Sequence, residues 1–300
     1  MPRLSDRIEN VLNEARILLL GGQVLLGFSF RICFEEKFEQ LPFPAQLAEV
    51  LALSLMTAGL GWLIWPAAFH QLADDGALTE RIDRFSTRIL DWGLLPLGTG
   101  LGFALYPVAA ALHIPHSMLI GLAASLLALG AWYGAGLLGR RKKSPRRSSP
   151  KQHEGQGDIG DRIKKVLIEC RMALPGAQAF LGFQFSIVFV QGFDRLPRSS
   201  QWIHFGSLLA TTIAIVLLIA PAAYHRLAES GEDTEHFHRA ASRLVLAALV
   251  FLAPGMCGDL WMVLLKVTRN GALATSVASL LLAVFWFLWF GVSAWAKRSR

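Results

Sequence analysis

Pro66-Ala67-Ala68-Phe69-His70-Gln71-Leu72-Ala73 is followed, 155 residues later, by Pro221-Ala222-Ala223-Tyr224-His225-Arg226-Leu227-Ala228. The same offset carries Asp6-Arg7-Ile8 onto Asp161-Arg162-Ile163 and Glu14-x-Arg16 onto Glu169-x-Arg171. It carries Gly21-x-Gln23 onto Gly176-x-Gln178, and Leu26-Gly27-Phe28-x-Phe30 onto Leu181-Gly182-Phe183-x-Phe185. Phe34, Phe38, Leu41 and Pro42 return as Phe189, Phe193, Leu196 and Pro197, and Thr79, Arg84 and Arg88 as Thr234, Arg239 and Arg243. Apolar runs align with one another easily. Matched Glu, Arg, Gln, His and Pro in one ungapped register do not, so the chain reads as two copies of one unit.

The composition says where such a unit lives. The chain is 53% hydrophobic and 17% charged, and its charges collect in short stretches between long apolar runs. A membrane-spanning helix needs about 20 mostly apolar residues. Ile17–Phe34, Leu47–Phe69, Ile89–Leu112 and Met118–Leu138 qualify in the first copy. Met172–Val190, Ile203–Tyr224, Leu244–Val267 and Ala272–Trp295 qualify in the second. The expected fold is therefore all-α and transmembrane, eight helices arranged as two tandem four-helix repeats, with the lipid bilayer as partner. The expected divisions are a first repeat over 1–139, a basic disordered linker over 140–160, and a second repeat over 161–300. Ile17–Phe34 has the apolar run of a signal peptide, but no small-residue cleavage site follows it and its counterpart begins mid-chain.

An even number of spans makes the copies parallel and places both termini and the linker on one side of the membrane. That side holds Arg3, Arg7, Arg81, Arg84, the linker cluster from Arg140 to Lys151 and the tail Lys297, Arg298 and Arg300. The positive-inside rule makes it cytoplasmic. The net charge of +7 is thereby explained by orientation, and no nucleic-acid-binding module accompanies it. The linker, rich in Arg, Lys, Ser, Pro and Gly, is expected to be a solvated tether, with attachment to anionic lipid as the sharper alternative. Ahead of each first span, Ile8, Val11, Leu12 and Ala15, and then Ile163, Val166, Leu167 and Cys170, fall on one helix face. Each stretch either lies along the interface or extends the span.

These motifs, clearest in Glu169-x-Arg171, Gly176-x-Gln178, Leu181-Gly182-Phe183-Gln184-Phe185, Leu196-Pro197 and Pro221-Ala222-Ala223-Tyr224-His225-Arg226, resemble a bacterial membrane family catalogued as domain of unknown function 6328. The second copy resembles it closely; the first departs more, with Phe69 and Gln71 where the second has Tyr224 and Arg226. The resemblance implies the inner membrane of a bacterium. It implies no reaction.

Ionisable groups inside a bilayer are functional candidates because burying their charge is costly. One recurring set lies toward the cytoplasmic face: Glu14, Arg16, His70, Arg84 and Arg88, repeated as Glu169, Arg171, His225, Arg239 and Arg243. It reads either as an ion-pair network locking helix ends, for example Glu169 with Arg239 or Arg243, or as a proton entrance in which His225 titrates. Gln23 and Gln178 lie deeper, roughly 10 Å beyond Arg16 and Arg171. Arg31 and Asp259 are not repeated, aligning with Ser186 and Ala104. Each lies roughly 21–23 Å from its helix start, so a cross-copy bridge between them is one expectation. The competing one pairs Arg31 with Glu35 and lets Asp259 reach outer water.

The Glu232–His238 stretch reads as a solvated loop rather than a metal site, since the first copy lacks most of its donors. Cys33, Cys170 and Cys257 have no CxxC spacing and read as buried thiols. No GxSxG, HExxH, Walker A or GxGxxG motif is present, so neither a cofactor nor catalysis is expected. The functional expectation is a non-enzymatic structural, sensing or regulatory membrane protein. The alternative is a proton-coupled cation transporter.

Overall fold

The computed structural model describes residues 4–74, 79–140, 159–227 and 234–298, and within them the side chains of 13–74, 79–133, 173–222, 224 and 234–298. All the elements described are helical. In the first copy they are α1 (Leu4–Ile32), the single turn α2 (Glu36–Glu39), α3 (Phe43–Ala73), α4 (Glu80–Ala111) and α5 (Ser117–Arg140). In the second they are α6 (Ile159–Ile187), the single turn α7 (Gln191–Asp194), α8 (Arg198–Leu227), α9 (Glu235–Thr268) and α10 (Gly271–Trp286). A π-helical turn, Phe287–Val292, joins α10 to α11 (Ser293–Arg298).

The repeated residues do repeated work. Thr79 and Thr234 are both N-caps, accepting hydrogen bonds from Ile82 N and Phe237 N and so supplying partners for two of the free amides that open α4 and α9. Gln46 and Gln201, another pair in the 155-residue register, donate to the carbonyls of Leu41 and Leu196 and close the turns after α2 and α7. Pro66 and Pro221 lie inside α3 and α8, which run on through them. The apolar stretch ahead of each first span is the start of a continuous helix, since α1 begins at Leu4 and α6 at Ile159. Of the stretch read as a linker, Arg140 closes α5, Ile159 and Gly160 open α6, and 141–158 lie outside the described residues.

Among the described residues, six helices are long and apolar enough to cross a membrane: Asn13–Ile32, Phe43–Ala73, Glu80–Ala111, Arg198–Ala222, Glu235–Thr268 and Gly271–Arg298. Ser117–Tyr133 is a shorter apolar helix. At 1.5 Å per residue, the 31 residues of α3 extend about 46 Å, past a hydrocarbon layer of about 30 Å. The surface agrees with that setting. Leu119, Leu122, Leu126 and Leu127 on α5, and Phe205, Leu209, Val216 and Ile219 on α8, are large apolar side chains turned outward along the helices. Trp92 and Trp295 are exposed toward one end of the bundle and Trp202 toward the other, as in interfacial aromatic belts.

The copies are packed into each other. α1 lies along α6, where Phe28 and Phe183 meet at 4.6 Å between ring centroids. Gly27 permits this approach, because a Cβ there would lie 1.9 Å from the Phe183 ring. α9 of the second copy packs on α3 of the first. The π-helical turn carries Trp289 inward to donate its Nε1–H to Gly61 O on α3 at 2.8 Å, with its ring stacked on Phe285. One hydrophobic core runs through both copies, including Phe30, Phe34, Leu53, Leu60, Phe180, Leu252, Val263 and Trp289.

Candidate functional site

The strongest polar feature of the core is in the second copy. Asp259 on α9 and His204 on α8 are 2% and 1% exposed, and His204 Nδ1 lies 2.9 Å from Asp259 Oδ1. Gln184 on α6 donates from Nε2 to Asp259 Oδ2 at 2.6 Å, and its backbone carbonyl lies 3.0 Å from His204 Nε2. Three helices thus converge on one carboxyl group. Small residues bring α8 and α9 close enough. A Cβ at Gly255 would lie 2.4 Å from Thr211 Oγ1, and one at Gly258 would lie 2.1 Å from Ser207 Oγ. Such close backbone approach is how membrane helices gain packing and interhelical hydrogen bonds.

Hydrogen-bond chemistry fixes how many protons this site holds. A backbone carbonyl can only accept, so His204 Nε2 carries a hydrogen. Nδ1 and Asp259 Oδ1 must then share one more, as imidazolium with carboxylate or as neutral imidazole with carboxylic acid. Either form is neutral overall. Removing that proton sets two lone pairs against each other and leaves a net negative charge among apolar groups, a costly state unless the helices rearrange. Phe30 of α1 and Phe193 of α7 flank the imidazole, with ring centroids 6.0 and 5.3 Å away. Among the described residues no group of three or more His, Cys, Asp or Glu side chains gathers as a metal site.

On the side of α2 and α7 a cavity of about 700 Å³ opens between the copies. Glu39, Arg195, Ser200, Met262 and Lys266 are among its lining. Ser200 precedes His204 by one helical turn, and Met262 and Lys266 follow Asp259 by about one and two turns, so the cavity lies above the dyad. Two buried polar atoms near this line, Ser200 Oγ and Gln184 Oε1, have no hydrogen-bond partner. The rim is a clasp between copies. Lys266 Nζ bonds Cys33 O at 2.7 Å and Glu39 Oε1 at 3.0 Å and sits over the Phe34 ring. Arg195 reaches Glu36 at 3.1 Å and Glu39 at 3.2 Å. The hydrogen bond from Lys266, with help from Arg195, holds the Glu39 carboxyl below the usual carboxylate range.

Most residues singled out in the sequence stand elsewhere. Arg31 pairs with Glu35 on its own helix end at 3.5 Å, half exposed, while Asp259 is taken by His204 and Gln184. The cross-copy bridge between Arg31 and Asp259 is therefore not formed, and Asp259 does not open onto water either. A buried carboxylate takes the partners its own copy brings within reach, and Arg31 points to the surface. Gln23 is buried where α1 meets α6, its amide oxygen against Gly176, but its repeat partner Gln178 is exposed. The two equivalent glutamines diverge because only one faces the other copy.

The expected pairing of Glu169 with Arg239 or Arg243 falls on a side chain outside the described residues, and the described members of the polar cluster at the opposite helix ends stand as follows. Glu14 and Arg88 are exposed, Arg16 is half-buried with its Nε unpartnered, and Arg84 turns back on Glu80, donating to its carbonyl at 3.3 Å with the carboxylate 3.7 Å away. His70 is buried. Arg239 and Arg243 are exposed, and Arg239 donates to Glu235 O at 3.3 Å. The side chains of Glu169, Arg171 and His225 lie outside the described residues. Glu235, His236 and His238 form the first turn of α9 and not a loop, and His236 Nδ1 lies 3.2 Å from Tyr224 Oη. Cys33 and Cys257 are free and buried.

His204, Gln184 and Glu49 were missed from sequence, yet a signal existed. The 155-residue offset sets His204 on Glu49 and Gln184 on Ser29, so one position within an apolar span is ionisable in both copies.

Neither a curated protein nor a solved structure matches the chain. The model of a family of unknown function, DUF6328, matches residues 2–135 and again residues 156–293, once over each of the units described above. The chain belongs to that family and carries its unit twice in tandem.

Proposed function

We propose that this chain is a non-enzymatic eight-span membrane protein that responds to protons, with the His204–Asp259–Gln184 site as its proton-binding element. The carrying observation is the contact of His204 Nδ1 with Asp259 Oδ1 at 2.9 Å inside the core, below a cavity that opens between the two copies. Losing the proton changes the charge of a closed, apolar site, so protonation and helix packing are coupled. Two parallel four-helix copies, with α5 and α6 as the spans beyond the six most apolar helices, complete the layout. By the distribution of Lys and Arg, both termini and the basic linker face the cytoplasm in this reading, and the cavity faces outward. The linker then lies where it can meet anionic lipid.

A second reading, proton-coupled cation transport, draws on one observation: a buried carboxyl group beneath a wide cavity with ionic walls. A pair of measurements in lipid bilayers tests both. The exchange protection of α8 and α9, with the intrinsic pH dependence of amide exchange divided out, is expected to show a step in the wild type over a titration from about pH 5 to about pH 10, and to lose that step in His204→Gln. Protection that is constant across that range in the wild type would overturn the proton-responsive reading. Cation-dependent proton flux in proteoliposomes, abolished by Asp259→Asn, would favour transport over sensing.

A further inference from the structure

The first copy has its own version of the buried site. The register that aligns Gln184, His204 and Asp259 places Ser29, Glu49 and Ala104 at the corresponding positions of α1, α3 and α4. Each triad contains one carboxyl group, but not on the same helix. In the second copy it comes from α9 and faces a histidine; in the first it comes from α3, and the α4 position that would answer it is an alanine. Glu49 is fully buried; neither of its carboxyl oxygens makes a hydrogen bond of good geometry, although the Ser29 hydroxyl lies beside it. A carboxylate with no better donor than a neighbouring hydroxyl in an apolar interior is among the costliest groups a protein can hold, whereas the acid is merely a polar group.

Near Glu49 the elements packed on α3 present little charge, the ionic residues of α4 and α11 lying toward the other end of α3. From α1, Ser29 and Cys33 face Glu49. From α4 the aligned group is Ala104. From α9, Lys266 is engaged by Cys33 O and Glu39, and Asp259 shares a small cavity with Leu53 and Thr57, one and two turns along α3 from Glu49. The contact of α3 with Phe285 and Trp289 is centred on Gly61, three turns away.

We propose that Glu49 is a second proton-binding site, the first-copy counterpart of His204–Asp259, which carries its proton as a buried carboxylic acid. It rests on the proton-responsive reading only for its purpose; the protonation itself stands on the geometry of Glu49. The two copies then present one proton each at equivalent positions of the fold, one on an isolated acid and one on an acid–base pair.

A hydrophobic carbodiimide tests this on the whole protein in liposomes. The reagent takes the acid's proton on nitrogen, the carboxyl oxygen adds to its central carbon, and an acyl shift to nitrogen gives a stable N-acylurea with nothing released. Dicyclohexylcarbodiimide is expected to leave this adduct on the peptide containing Glu49, and the adduct should disappear in Glu49→Gln and persist in His204→Gln. Infrared spectroscopy does not depend on reagent access. A protonated carboxylic acid carbonyl band at neutral pH is expected to be present in Asp259→Asn and absent from the double variant with Glu49→Gln. Identical spectra of those two variants in that region would overturn the proposal, whatever the labelling shows. A Glu49 acid band with no pH response of α8 and α9 would sink the proton-responsive reading alone.

Discussion

Asp259→Asn and Asp259→Ala should part company, because the site distinguishes losing a proton from losing the partners. Asparagine can keep the arrangement of the neutral form. Its Oδ1 accepts from Gln184 Nε2, its Nδ2–H donates to His204 Nδ1, and His204 Nε2–H still reaches Gln184 O. Alanine removes two interhelical hydrogen bonds, those at 2.9 and 2.6 Å, and leaves the Gln184 amide and His204 Nδ1 buried without partners. In water-soluble proteins each such loss costs about 1–3 kcal/mol. Within bilayers the unfolded helices also find partners, and measured interhelical bonds average about 0.6 kcal/mol with a maximum near 1.7. Two bonds on that scale make Asp259→Ala about 1–3 kcal/mol less stable than the wild type, while Asp259→Asn should stay within about 0.5 kcal/mol. Unfolding in mixed detergent–lipid micelles by a denaturing detergent measures both. If Asp259→Asn costs as much as Asp259→Ala, the hydrogen-bond assignment around Asp259 is wrong.

Two further expectations concern how the copies are held together. Gly61→Ala would put a Cβ 2.0 Å from the Phe285 ring and disturb the Trp289–Gly61 bond, so it should destabilise by about 1–3 kcal/mol, and Phe285→Leu in the same chain should restore part of the loss. The unfolding titration of the single and double variants reads this; equal losses would contradict it. At the rim, Glu39 has a lowered pKa, so its clasp on Lys266 and Arg195 contributes fully above the ordinary carboxylate value of about 4.3 and is lost as pH falls through the lowered one. Glu39→Gln should therefore flatten the acid limb of the stability profile, and an unchanged limb would show that the clasp contributes nothing there.

What was legible in the sequence follows from local rules. Helix-length apolar runs and an ungapped register between copies depend on neighbours within a few residues or on plain repetition. Even the ionisable position shared by Glu49 and His204 was written in the register, though its burial was not. The depth of Arg31 and Asp259 along their helices was readable as well, because rise per residue is fixed. Their pairing was not, because depth says nothing about which way a helix is rotated.

The sequence by itself determined the all-helical class, the apolar surfaces of the long helices and the duplication. Only the tertiary structure decided that Gln23 is buried while Gln178 faces out, that Asp259 answers to His204 and Gln184, and that Glu49 has no answering group. The two units do not offer their equivalent residues the same surroundings, because they pack asymmetrically: α9 lies on α3, whereas α4 and α8, the corresponding pair, do not pack in the same way. The partner of a buried charge is set by helix rotation and by how closely glycines such as Gly27, Gly255 and Gly258 let the backbones approach. Those are properties of packing between helices, which a reading along the chain does not contain.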